Sequence, residues 1–300
     1  MRPLALAWLL LIVGLLTGCQ PASKGTRPPS PATAPPAGSL QVVFFDVGQG
    51  DSALIRLPNG KTMLIDGGPP QAGRVLVAKL RQYGVSRLDW VVGTHPHSDH
   101  IGGLIAVLKA FPVEEVWDSG LVYESPVYRD YLLAVKSAKG SSGKRPRFRV
   151  MLKGESIQLA PNMRIEVLAP SRPYLMGTES DPNNNSIVLR LEAGRARFLF
   201  TGDMEGALRR RLYQQRADLR AEVLKVAHHG SHNGTDTEFL IRVRPRIAII
   251  SCGSGNPHGH PHKEALQALK AFRVRVYRTD RLGDVVVTLT NKGLEVVSSK

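Results

Sequence analysis

Cysteine is scarce in this sequence, with only Cys19 and Cys252 among 300 residues. So few thiols exclude a disulfide-stapled scaffold, and the fold must be held by its apolar core. Acidic residues are also few, 25 against 40 basic ones, for a formal charge of +15. A disordered polyanion is thereby excluded, and the excess charge points to an anionic partner such as nucleic acid, a lipid surface or an acidic polymer. Beyond residue 18 no apolar run approaches the ~20 residues that a membrane span needs. What is present is 42% hydrophobic residues over 300 positions, enough for one large domain or two ordinary ones.

The N-terminus carries its own signals. Residues 1–18 set Arg2 before an apolar run over 4–16, the pattern of an export signal peptide. The run ends at Leu16-Thr17-Gly18-Cys19, which resembles the bacterial lipobox and implies cleavage before Cys19 with lipidation of its thiol. Residues 19–38 then form a proline-rich tether that cannot bury enough apolar surface to fold. The expected location is outside the cytoplasm, lipid-anchored at the cell envelope. A folded body over 39–300 keeps 37 basic and 25 acidic groups, a net +12.

Within the body, strands are predicted over 40–45 and 52–57 around the turn Gly48-Gln49-Gly50, and over 61–65, 88–92, 113–116, 186–191, 196–200, 223–226 and 247–251. Apolar spacing predicts helices over 73–83, 101–111, 125–137, 205–219 and 263–272. Residues 136–149 read as a cation-rich loop and 284–297 as a hairpin. Strand clusters with helices in both halves predict an α/β body, two β-sheets packed face to face with helices outside.

The most informative segment is Thr94-His95-Pro96-His97-Ser98-Asp99-His100, placed where a buried strand gives way to a helix. Such a loop can aim His95 and His97 at one ion while the next turn aims Asp99 and His100 at a second. Imidazole and carboxylate without thiolate favour a catalytic Zn, Mn or Fe centre over a structural zinc.

His-x-His-x-Asp-His resembles the signature of the metallo-β-lactamase-fold hydrolases, whose fold is an αββα sandwich with the metals at one edge of the sheets. Leu64-Ile65-Asp66-Gly67-Gly68 and Thr201-Gly202-Asp203 match further motifs of that family. The resemblance implies that Asp66 supports the metal loop and that Asp203 bridges two ions. Asp46-Val47-Gly48-Gln49-Gly50-Asp51-Ser52, Asn184-Asn185-Ser186, Val226-Ala227-His228-His229-Gly230-Ser231 and His260-Pro261-His262 narrow it to the hydrolase domain of ComEC-type DNA-uptake proteins, over roughly residues 40–289. The polytopic channel of those proteins is missing, so membrane contact is expected through the lipid anchor alone.

One departure matters. None of the nine histidines lies between His100 and Asp203, where many superfamily members place a third ligand for the first ion; the run Asn183-Asn184-Asn185 stands there instead. The resemblance then implies a first divalent ion, Mn or Zn, held weakly by His95, His97 and Asp203. A second would be held by Asp99, His100, Asp203 and one of the pair His228 and His229, with His229 favoured.

The implied activity is hydrolysis of a phosphodiester by a metal-activated hydroxide attacking phosphorus in line. Asp99, His260 and His228 are the expected catalytic groups, with His260 first and His228 and His232 next as donors to the leaving alkoxide. Asp51, like Asp66, is a candidate to support the ligands or to meet substrate, and Ser231 and Asn185 are candidates to hold a phosphate oxygen or a water. Lys136, Lys139, Lys144, Arg145, Arg147 and Arg149 lie near Tyr123, Tyr128 and Tyr131 in sequence, a mixture suited to tracking DNA. Two other readings stay open: a small-substrate hydrolase, such as a phosphorylcholine esterase, lactonase or β-lactamase, and a DNA-binding module without catalysis.

Overall fold

The computed structural model describes residues 38–300. The signal peptide, Cys19 and the tether as far as residue 37 lie outside the described residues. Fifteen strands are described. They run β1 Leu40–Phe44, β2 Ala53–Arg56, β3 Thr62–Ile65, β4 Leu88–Gly93, β5 Val113–Asp118, β6 Arg147–Val150, β7 Ser156–Ala160 and β8 Met163–Ala169. After these come β9 Val188–Ala193, β10 Ala196–Phe200, β11 Val223–Lys225, β12 Ile247–Ile250, β13 Arg275–Arg278, β14 Val285–Thr290 and β15 Gly293–Ser298. The helices are α1 Gly73–Gln82, α2 Ser98–Ile101, α3 Leu104–Ala110, α4 Pro126–Ser137, α5 Gly206–Gln214, α6 Thr237–Val243, α7 Lys263–Ala271 and α8 Thr279–Leu282.

The strands form two mixed sheets, one ordered β15-β14-β1-β2-β3-β4-β5-β6 and the other β13-β12-β11-β10-β9-β8-β7. Strand alternation sorts their side chains. Val42, Phe44, Ile55, Leu189, Phe198 and Phe200 meet between the sheets, with the rings of Phe44 and Phe200 at 6.0 Å. Val43, Phe45 and Leu54 face the other way, against Leu76, Leu80, Leu104 and Tyr131 of the helices. On the second sheet Leu199, Leu224 and Ala248 pack against Leu208, Leu240 and Leu269. This is the expected αββα sandwich, and covering both faces explains why the central strands are near-continuous apolar runs.

Several expectations differ in detail. The helix predicted over 101–111 is broken at Gly102-Gly103, where the chain packs on the turn after β3: Gly103 N donates to Gly68 O at 2.8 Å, and a Cβ on Gly103 would collide with the carbonyl oxygen of Gly67. β7, β8, α6 and β13 had no sequence expectation. Arg164 and Glu166 alternate with the buried Ile165 and Val167 along β8, and Glu166 pairs with Arg190 of β9 at 2.8 Å. Residues 147–149, expected as loop, are in β6, paired parallel to β5.

In each sheet three adjacent strand pairs are parallel, β3/β4/β5/β6 and β10/β11/β12/β13. Their carboxyl ends deliver the candidate residues to one edge, as open α/β sheets commonly do. Asp66 follows β3, His95 follows β4, Asp203 follows β10, His229 follows β11 and Ser251 follows β12.

Candidate metal centre

Asp203 is the hub. Its Oδ1 lies 3.2 Å from His100 Nε2, and its Oδ2 lies 3.4 Å from His229 Nε2, 3.8 Å from His95 Nε2 and 3.9 Å from His228 Nε2. Asp99 Oδ2 approaches His229 Nε2 at 3.1 Å and His100 Nε2 at 3.9 Å. His97 joins through His95, with Nδ1 3.2 Å from His95 Nε2. The structure therefore brings His95, His97, Asp99, His100, Asp203, His228 and His229 to one place.

The far sides of these rings are fixed by acceptors. His100 Nδ1 is 2.8 Å from Asp66 Oδ2, and Asp66 also accepts from the backbone N–H and hydroxyl of Thr94, both at 2.8 Å. His229 Nδ1 faces Asp51 Oδ1 at 3.1 Å and the carbonyl of Ser251 at 3.0 Å. Each Nδ1 thus keeps its proton and directs Nε2 toward a carboxylate, where a metal could replace the Nε2 proton as in carboxylate–histidine–metal triads. His100 Nε2 and Asp203 Oδ1 are buried without hydrogen-bond partners. A ring nitrogen and a carboxylate oxygen at 3.2 Å suit a shared cation, a metal or a proton.

Asp51, His100, Asp203 and His229 form the tightest set, with ligand atoms all within 4.8 Å of one another. Asp51 nevertheless has other employment: Oδ2 pairs with the buried Lys225 Nζ at 2.5 Å while Oδ1 faces the far side of His229. Its place is behind His229, as Asp66 is behind His100.

Charge follows geometry. Burial alone would lower the basicity of His100 and His229, but Asp203 with Asp66 and Asp99 raises the first well above its ordinary value, and Asp203 with Asp51 raises the second. His95 is held down by burial and by the neighbouring His100. Burial opposes ionisation of Asp203, yet His100 and His229 keep its carboxyl well below the ordinary range.

The turns that carry these groups are strained. His228 and His229 both have left-handed backbone, φ 49° and 54°, as does Asp66 at φ 58°. Such conformations cost roughly 1–2 kcal/mol per non-glycine residue and persist where the surroundings impose them. Gly50 packs so closely on the histidine loop that a Cβ there would strike the Asp99 carbonyl, and Asp51 N donates to that same oxygen at 3.1 Å.

Other candidates fall further out. His260 is half-buried with its ring 5.5 Å from His228 and 6.0 Å from His229. Gly253 N donates to Gln49 Oε1 at 3.1 Å, which leaves the Gln49 amide nitrogen facing His260 Nδ1 at 3.3 Å and the imidazole proton on Nε2. Burial and the neighbouring His229 and His228 push its pKa down to about 3. It therefore presents Nε2–H as a hydrogen-bond donor beside the cluster. His232 faces His262, Nδ1 to Nδ1 at 3.0 Å, away from the ligand set. Ser231 is buried in the same turn, its N–H donating to the His228 carbonyl at 2.7 Å. Asn185 binds both backbone groups of Leu175 and the Asp181 carbonyl, at 2.7–3.0 Å, so both of its N–H donors are committed to holding a loop.

The basic loop also sits differently from expectation. Val113 N, at the start of β5, donates to Lys139 O, so Lys139, Lys144 and Arg145 lie at the sheet edge opposite the metal residues, about 17–20 Å away along β5. Arg147 and Arg149 pair with the buried Glu115 at 2.6 and 3.1 Å, and Arg149 also with Glu155 at 2.5 Å. Lys136 lies at the far end of an apolar groove along α4 that begins at Val122 and Tyr123. The Tyr123 ring meets that of His97 at 5.6 Å.

Sequence reasoning missed Lys225, Glu205 and Gln49. A lysine inside the buried run Val223-Leu224-Lys225-Val226 was the available signal for the first, since a buried cation needs a buried partner.

An αββα sandwich with a histidine–aspartate cluster at the strand ends defines a metal-dependent hydrolase class. A family model described as the metallo-beta-lactamase superfamily matches residues 45–254, and the chain belongs to that superfamily. It is 32% identical over 270 residues to ComE operon protein 3 of Bacillus subtilis, covering 84% of this chain and 33% of that protein. It is 30% identical over 264 residues to competence protein ComA of Neisseria gonorrhoeae, covering 87% and 34%. The chain thus spans about a third of the length of these curated relatives. Among solved structures, CmlA, a diiron β-hydroxylase from Streptomyces venezuelae, aligns with a TM-score of 0.51 at 14% identity, over 79% of this chain and 52% of that one, a likeness of fold. Among the described residues no helix is long and apolar enough to cross a membrane.

Proposed function

We propose that this protein is a metal-dependent phosphodiesterase that cuts DNA outside the cytoplasm while tethered to the membrane by a lipid on Cys19. The observation that carries the catalytic part is the position of Asp203, buried with one oxygen toward His100 and the other toward His95, His228 and His229. A carboxylate so placed suits two divalent ions, Mn or Zn. When bound, such ions supply Lewis acidity toward a phosphoryl oxygen and lower the pKa of water.

The chain's own residues do the rest. Asp66 and Asp51 hold the tautomers of His100 and His229. His260 offers Nε2–H as a neutral hydrogen-bond donor beside the cluster, suited to an oxygen that gains charge as the ester breaks. The groove from Tyr123 past Leu132 and Leu133 to Lys136 gives bases an apolar lane, with the free cations of the loop at its far end for phosphates. DNA as the substrate is supported by that surface, by the basic body, and by the competence proteins among the relatives, which also point to the cell envelope.

The test is to incubate the purified protein, supplied with Mn²⁺ or Zn²⁺, with linear and circular DNA, RNA, a chromogenic phosphodiester and a β-lactam, beside Asp203→Ala. Metal-dependent cutting of DNA that Asp203→Ala lacks is expected. Turnover of only the chromogenic ester or the lactam would replace DNA with a small substrate, and binding without turnover would leave a DNA-binding module. Cys19→Ala should release the protein from the membrane fraction; retention there would sink the lipid anchor.

A further inference from the structure

As the sequence reads, the first ion has only His95, His97 and a shared oxygen of Asp203, one protein ligand short of the second. The structure supplies a further group. His228 Nε2 lies 3.9 Å from Asp203 Oδ2, nearly the 3.8 Å that separates His95 Nε2 from the same oxygen. Its Nδ1 lies 3.1 Å from Asn233 Oδ1 and 3.3 Å from Glu205 Oε1. Both are acceptors, so Nδ1 carries the proton and the lone pair of a neutral His228 is left on Nε2, toward Asp203. In the neutral ring that lone pair faces a carboxylate, an arrangement that a cation between them, whether a metal or a proton on Nε2, stabilises.

The support behind His228 is built and buried. The Glu205 side chain is 5% exposed. It accepts from Asn183 Nδ2 at 2.9 Å and from Asn184 Nδ2 at 3.4 Å, while Asn184 Oδ1 accepts from Leu208 N at 3.0 Å. The asparagines that stand where a third histidine was sought thus hold the carboxylate that orients one arriving from another loop. The left-handed pair at 228 and 229 sends adjacent side chains to the same carboxylate, with their rings at 66° to one another.

We infer that His228 is the third protein ligand of the first ion, with Glu205, Asn183 and Asn184 as its positioning residues. This rests on the two-ion reading above and is independent of which ester is hydrolysed. It moves His228 from proton donor to ligand and leaves His229 to the second ion.

The full chain, stripped with a chelator and titrated with Zn²⁺ and separately with Co²⁺, tests it through metal content and Co²⁺ absorption. Wild type should hold two ions. His228→Ala should keep one at unchanged affinity and bind the other at least tenfold more weakly, while His229→Ala weakens the complementary site. Glu205→Gln, which retains an acceptor for Nδ1, should weaken the same site as His228→Ala by a smaller factor, and it carries the test if His228→Ala does not fold. Two ions at wild-type affinity in His228→Ala, or in Glu205→Gln with an unchanged Co²⁺ spectrum, would overturn the assignment. A wild type that binds no ion would overturn the two-ion reading along with it.

Discussion

Asp66 Oδ2 stands 2.8 Å from His100 Nδ1, on the side of the ring away from Asp203. Asp66 reaches it from the turn after β3, while His100 comes from α2, just after β4, so the contact ties two neighbouring strand ends. Asp66 is buried, and burial pushes its carboxyl up in pKa while His100 opposes the rise. In Asp66→Asn the hydrogen bonds to Thr94 can persist, but the charge that makes His100 a stronger donor to metal is lost. Metal affinity should fall 10- to 100-fold, read by competition with a chromophoric chelator. An unchanged affinity would mean that the contact only shapes the loop.

Lys225 and Asp51 make the second prediction. They pair at 2.5 Å, with side chains only 5% and 7% exposed. Lys225→Met would leave Asp51 with His229 alone to offset burial, at a cost of about 3–5 kcal/mol, the usual penalty for orphaning one member of a buried pair. The double variant Lys225→Met with Asp51→Asn should recover much of that stability while binding metal more weakly, because His229 loses its carboxylate partner. Equal destabilisation in the single and double variants, by denaturant unfolding, would refute the pairing energetics.

The reach of the sequence was uneven for physical reasons. His95, His97, Asp99 and His100 lie in one loop, so local spacing displays them, and Asp203 follows a strand with a recognisable turn. Relations across loops leave no such trace. Nothing local in Glu205 or Asn183 shows that one holds His228 and the other holds Glu205, because the contact depends on where α5 begins relative to the β11 turn. Lys139 and Lys144 were misplaced for a similar cause: proximity in sequence to Tyr123 hid the fact that α4 runs the length of the sheet and returns the chain to the opposite edge. β8 was passed over although Met163-Arg164-Ile165-Glu166-Val167 alternates as a half-buried strand does; its two charged residues pair with β9 across the ladder and with each other.

Asp118, at the end of β5, gives a prediction in pH. Burial pushes its carboxyl up to about 6, against hydrogen bonds from Gly120 N and Tyr128 Oη that favour the ionised form. A carboxyl with a higher pKa folded than unfolded binds more protons in the native state between pH 4 and 6, so stability from this group falls as pH rises through that window and then levels. Asp118→Asn keeps an acceptor for both donors and removes the ionisation. It should be more stable than wild type above pH 6, by up to about 2–3 kcal/mol, with the difference vanishing below pH 4. Parallel stability–pH curves for the two proteins would show that Asp118 does not carry the effect.

The proposed DNA path can be tested by separating solvated cations from paired ones. Lys136, Lys139, Lys144 and Arg145 are exposed, whereas Arg147 and Arg149 pair with Glu115. Each phosphate contact contributes about 0.9 to the slope of log affinity against log salt on duplex DNA. Replacing the four exposed cations by alanine should therefore lower the slope by about 2–4, with little change in stability because their charges are solvated. Arg147→Ala with Arg149→Ala should do the reverse: the slope stays, and stability falls as Glu115, only 4% exposed, loses both cations and keeps the Trp117 Nε1–H donor at 2.7 Å. Binding isotherms over a salt series and unfolding curves on the same two variants decide it, and a slope unmoved by the fourfold change would place the DNA path on another face.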